Sequence, residues 1–133
     1  LKKIPVYLFL FLLLAGCSLS NVQHNEELED AIYLIVSDEN NDKLSLNSMT
    51  TFDWDKAYLF TPYSTQESIT EQLGVDFKDP SDIDWRDDIY LLVFLDSDQV
   101  IQYAELERQG ADFSIGEKQY LTPTDDIINI KHD

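Results

Sequence analysis

Residues 89–107, "IYLLVFLDSDQVIQYAELE", decide the architecture. The run from Ile89 to Leu95 is apolar at every position, the pattern of a central strand covered on both of its faces. "DSDQ" (96–99) follows, with residue types whose short polar side chains favour a turn. "VIQYAELE" (100–107) then alternates in polarity, so it reads as the antiparallel partner in a hairpin.

Upstream of the hairpin, "VDFKDPSDIDWRDD" (75–88) is a polar loop with Pro80 and with Trp85, which is expected to be buried. "STQESITEQLG" (64–74) is a short helix. Ser64 followed three residues later by Glu67 makes a capping box, Ile69 and Leu73 share a face, and Gly74 stands where a left-handed C-cap residue belongs. "FDWDKAYLFTPY" (52–63) is aromatic-rich and reads as a strand ended by Pro62. In such a strand Phe52, Trp54, Tyr58 and Phe60 point one way, and Asp53, Asp55, Ala57 and Leu59 the other. Further back, Leu28, Ala31, Ile32, Ile35 and Val36 recur at helical spacing, with Glu26, Glu27, Glu29 and Asp30 near the start, where the helix dipole favours acid. "SDENND" (37–42) ends that helix, and "LSLNS" bridges onward. Downstream, 111–115 allows a short strand and "DIINIKH" (126–132) a last one. The expected fold is α+β, an antiparallel sheet of about four strands with two helices on one face.

Composition narrows the partners. The chain has 133 residues and a formal charge of −17 at pH 7. Such a surface repels nucleic acid, and it suits a cationic partner, divalent ions or plain solubility. Seven Tyr, seven Phe and two Trp argue for a packed domain rather than an acidic disordered tail. The single Cys excludes an internal disulfide.

That cysteine closes the N-terminal segment "LKKIPVYLFLFLLLAGCSLS" (1–20). Lys2 and Lys3 precede an apolar run from Ile4 to Gly16, which is short against the roughly 20 residues a membrane span needs and suits a secretory signal. Leu14-Ala15-Gly16-Cys17 resembles the lipobox of bacterial lipoproteins. In that family the cysteine thiol is linked to diacylglycerol, and a dedicated peptidase cleaves just before it, recognising the residues corresponding to Leu14, Ala15 and Gly16. The resemblance implies a signal peptide over 1–16, a lipidated Cys17 with a flexible tether over 17–27, and one α+β domain over 28–133. Leu1 in place of Met would then reflect a bacterial non-AUG start codon. Removing 1–16 takes Lys2 and Lys3 from the 9 basic side chains and leaves all 26 acidic ones, a formal charge of −19. Two acyl chains anchor a protein stably where one does not. The implied location is the outer face of the cell membrane. In a two-membrane cell Ser18 carries no inner-membrane retention signal, so the outer membrane is open to it. Residues 52–113 also resemble blocks of small, uncharacterised bacterial lipoproteins, a family that carries no assigned activity.

Three sets of residues are candidates for chemistry. Asp38, Asn40 and Asp42 match the first ligand positions of an EF-hand loop, but Lys43 replaces its glycine and Met49 its bidentate glutamate, so no metal is expected there. Catalysis by a triad needs a rigid base, whereas His24 falls in the tether and His132 beside the C-terminus. No phosphate loop, nucleophile elbow or zinc-protease motif occurs, and neither an enzyme nor a cofactor is expected. Asp53, Trp54 and Asp55, with Tyr63 and Trp85, offer either core aromatics beside solvated acids or an aromatic partner surface with an acidic rim. The expected function is therefore a lipid-anchored, non-catalytic interaction module whose partner is an envelope component or protein, a cationic one being favoured by charge. The alternatives are a small envelope enzyme or divalent-cation-binding protein using acidic clusters, and an immunity or inhibitor protein for a basic partner.

Overall fold

The computed structural model describes residues 21–133, so the segment read as a signal peptide, with Leu14, Ala15, Gly16 and Cys17, lies outside the described residues. In chain order the elements are β1 (Gln23–His24), α1 (Glu26–Val36), β2 (Lys43–Ser45), the single turn α2 (Leu46–Met49), β3 (Lys56–Phe60) and α3 (Gln66–Leu73). A 3-10 turn (Ile83–Trp85) then leads to β4 (Ile89–Asp96), β5 (Gln99–Glu107), β6 (Ala111–Ser114) and β7 (Ile127–His132). The fold is α+β, with strands in two sheets ordered β1-β5-β4-β3 and β2-β7-β6. Every strand pair is antiparallel except β1 with β5. Among the described residues no helix is long and apolar enough to cross a membrane.

β4 is the central strand its sequence implies, buried from Ile89 to Leu95. Its alternate residues enter two separate cores. Tyr90, Leu92 and Phe94 face Leu28, Ile32 and Val36 of α1 together with Leu44, Phe113, Ile128 and Ile130 of the second sheet. Ile89, Leu91, Val93 and Leu95 face Ile69 and Leu73 of α3, along with Phe77 and Ile83. Because successive strand residues point to opposite faces, the two helices cover opposite sides of the first sheet. The expectation of both helices on one face is corrected on this point. A strand apolar at every position needs cover on each side, and one helix goes to each.

The β4–β5 hairpin closes through Ser97 and Asp98, both at positive φ (51° and 63°), the twist that a two-residue hairpin loop requires. A register shift at Phe94/Leu95 marks a bulge, which adds local twist.

Local sequence explains the helix ends, with one change. Thr65, rather than Ser64, caps α3: its side chain accepts from the Ser68 N–H at 3.1 Å. Ser64 Oγ instead donates to Thr61 O at 2.7 Å, so the expected capping box is displaced by one residue. Gly74 ends the helix at φ +72°, as expected of a left-handed cap. Asn25 caps α1, its Oδ1 accepting from the Leu28 N–H at 3.0 Å.

Two further expectations are corrected. The stretch read as a free tether is structured from Gln23 onward, because β1 pairs with β5 and the Asn25 N–H donates to Tyr103 O at 2.9 Å. The strand read over 52–63 is formed only over Lys56–Phe60. The chain bends before Lys56, so Trp54 joins the α1 core while Tyr58 and Phe60 join the α3 core.

Candidate functional site

The loops at the end of β3 and before β4 meet through backbone hydrogen bonds. The Tyr63 N–H is shared between Ile83 O and Arg86 O, each at 3.1 Å. Tyr63 holds φ at +67°, a conformation costly for a bulky residue. On the facing loop the Asp79 carboxylate fixes the approach to the 3-10 turn. Its Oδ1 accepts from the Ser81 N–H (2.8 Å) and hydroxyl (2.6 Å), and its Oδ2 from the Ile83 N–H (3.0 Å). Ile83 is fully buried, and two residues later Trp85 stands 84% exposed; Tyr63, whose amide is tied to this turn, is 60% exposed. The turn is thus pinned from inside by an aliphatic anchor while it presents an indole outward.

Asp82, Asp84 and Asp87, close to Trp85 in the chain, are exposed. Arg86, in their midst, is already committed. Its Nε and Nη2 donate to the two oxygens of Asp88 at 2.9 Å each, and its Nη1 to Glu105 Oε1 at 2.7 Å. The hydrogen bond to Asp88 raises the guanidinium pKa further above its ordinary value, and the Arg86 guanidinium holds the Asp88 carboxyl below the usual range. The turn thus carries exposed acidic side chains and one exposed indole.

The other members of the predicted set go elsewhere. Trp54 is buried at 5% exposure, packs edge-to-face on Phe94 with ring centroids 5.4 Å apart, and donates Nε1–H to Thr50 Oγ1 at 3.0 Å. Asp55 Oδ2 accepts from the Ser97 N–H at 3.1 Å and braces the hairpin, while Asp53 is exposed. Trp85, expected inside, is outside. Asp38, Asn40 and Asp42 sit on an exposed turn after α1, where Asp38 Oδ1 accepts from the Asn40 N–H at 3.0 Å. That bond is a turn-forming one.

Sequence reading missed a cluster around His24. The imidazole lies flat on Tyr103, ring centroids 4.6 Å apart and 11° from parallel. Its Nε2 is 2.5 Å from Glu29 Oε2 and 3.3 Å from Glu105 Oε2, and its Nδ1 is 3.8 Å from Glu26 Oε1. The Glu105 N–H donates to Glu29 Oε2 at 2.7 Å. Burial, then the Glu105 and Glu29 carboxylates, push the Tyr103 phenol pKa up. Glu29 and Glu105 also line a cleft of about 390 Å³ that runs along α1, with Ile32, Val36 and Phe113 among its walls. His132 is held as well, its Nε2 lying 2.7 Å from Asn41 O. No local pattern announces the His24 cluster, since Glu105 is joined to the other two only by the pairing of β1 and α1 with β5.

No protein-family model, curated protein or solved structure matches the chain.

Proposed function

We propose that this protein is a bacterial lipoprotein of non-catalytic type. It is anchored by lipid on Cys17 outside the cytoplasm and binds a cationic protein or envelope partner through Tyr63 and Trp85. The observation that carries the partner surface is the indole of Trp85, 84% exposed, on a turn whose backbone carbonyls hold the amide of the positive-φ Tyr63. Tryptophan is on average a highly buried residue, and backbone strain held on an exposed aromatic is a mark of function rather than of packing. Exposed Asp82, Asp84 and Asp87 supply the rim, and buried aromatic anchors within a polar rim are how interfaces concentrate binding energy. Support for the anchor comes from the lipobox, the two lysines and the length of the apolar run. Only five residues separate Cys17 from Gln23. A six-residue step at about 3.3–3.6 Å per residue then keeps the domain within about 20 Å of the bilayer.

Two experiments test the parts separately. Cys17→Ser abolishes incorporation of labelled lipid; continued labelling removes the anchor from the proposal. Photo-crosslinking from position 63 or 85 in intact cells captures a basic partner, and Trp85→Ala abolishes the capture. The purified complex weakens steeply as ionic strength rises. Absence of a reproducible crosslinked species, or capture unaffected by Trp85→Ala, removes the partner surface.

A further inference from the structure

We infer that His24 Nε2, Glu29 Oε2 and Glu105 Oε2 form a binding site for one Zn²⁺ ion. Three elements converge there, β1, α1 and β5, and among the described residues this is the group of at least three His, Asp or Glu whose ligand atoms lie within 4.8 Å of one another. One ring nitrogen faces two carboxylate oxygens, at 2.5 and 3.3 Å. A single imidazole N–H could only be divided between the two carboxylates, whereas a divalent ion bonds all three atoms at once.

The surroundings hold the three groups in place from behind, as the outer partners of metal ligands do. Tyr103 fixes the plane of the imidazole. The Glu105 N–H occupies one lone pair of Glu29 Oε2. Arg86 takes Glu105 Oε1, leaving Oε2 turned toward His24. Glu26 stands beside the second ring nitrogen. The side chains are 31%, 20% and 21% exposed, so water can complete the coordination.

Dimensions and chemistry select the metal. Tetrahedral zinc bonds of about 2.0–2.1 Å place neighbouring ligand atoms about 3.4 Å apart. The His24–Glu105 separation of 3.3 Å already has that value, and the His24–Glu29 contact would have to widen by about 0.9 Å to admit the ion. An imidazole with two carboxylates suits Zn²⁺, while Ca²⁺ and Mg²⁺ take oxygen ligands. Bound there, the ion would tie the strand nearest the N-terminus to the helix and sheet of the domain.

The test is titration of the full chain with Zn²⁺ near neutral pH, followed by calorimetry and by the histidine ring signals in NMR. One saturable site per chain is expected, with the His24 signals moving and those of His132 unchanged. His24→Ala and Glu29→Gln, each with an unchanged circular dichroism spectrum, should weaken binding by at least the ~10–100-fold that disturbing an outer partner costs. A variant carrying Asp38→Asn with Asp42→Asn should bind as the parent does, Ca²⁺ in excess should not displace the Zn²⁺, and Trp85→Ala should leave the titration unchanged. Absence of a saturable site overturns the assignment, as does unmoved His24 signals, undiminished binding by His24→Ala, or displacement by Ca²⁺. In those cases His24 is only a hydrogen-bonded fastener of β1.

Discussion

The ring of His24 stacks on that of Tyr103 at 4.6 Å, 79 positions further along the chain. The contact makes the stretch before α1 part of the domain, because it lies beside the parallel pairing of Gln23 with Gln102 and His24 with Tyr103. Among the described residues, whose other strand pairs are antiparallel, this adds a parallel edge strand.

This relationship sets an expectation for hydrogen exchange. The Asn25 amide, which donates to Tyr103 O at 2.9 Å, should exchange at least about tenfold more slowly than an unstructured peptide. An unprotected Asn25 amide would mean that β1 does not dock.

The two tryptophans should behave in opposite ways. Trp54→Ala opens a cavity against Phe94 and leaves Thr50 without its donor, at a cost of about 3–5 kcal/mol in urea unfolding. Trp85→Ala removes an exposed indole and should change stability by no more than about 0.5 kcal/mol. Equal losses would place Trp85 in the core.

At the start of α3 the cap is Thr65. Thr65→Ala should cost about 1 kcal/mol, because the Ser68 N–H loses its acceptor. Ser64→Ala touches only an exposed turn and should cost under about 0.5 kcal/mol. Equilibrium unfolding of the two variants distinguishes a cap at 65 from the capping box at 64.

Stability should fall at both extremes of pH through one contact. Asp112 Oδ1 accepts from the Tyr90 hydroxyl and from Arg108 Nε, each at 2.8 Å, and these bonds lower its pKa, the tyrosine contributing most. A folded-state pKa below the unfolded one contributes stability above the usual carboxylate range, lost as pH falls through the depressed value. Burial raises the Tyr90 pKa, helped by Asp112. That contribution is intact below the ordinary tyrosine range near ~10 and is lost as pH rises through the raised value. Asp112→Asn should flatten the acid limb of the urea midpoint below about pH 4, and Tyr90→Phe the alkaline limb. An acid limb unchanged by Asp112→Asn would assign it to other carboxylates.

Much of the architecture was legible where the signal is local. The seven apolar residues of β4, the turn at Ser97–Asp98 and the glycine stop at Gly74 each rest on neighbours within one element. The second sheet was not legible. β2 has three residues and carries a single buried one, Leu44, too short for a periodicity to register. Trp54 was misassigned in face because a strand's alternation holds only while the strand lasts, and the chain bends before Lys56. Whether Trp85 belongs to the core or to a surface is not legible locally, and the fold gives the core position to Ile83, two residues earlier.

The sequence by itself determined the α+β class, the central hairpin, the two longer helices and the acidity of the surface, since propensity, periodicity and charge act over a few residues. Tertiary structure alone decided which helix covers which face, that the Tyr63 amide is held by the turn bearing Trp85, and that His24 meets Glu29 and Glu105. Those meetings span between 5 and 81 positions of chain, and the order of strands in the sheet brings them about. No residue type encodes that order, because it is set by which arrangement buries both faces of β4 at once.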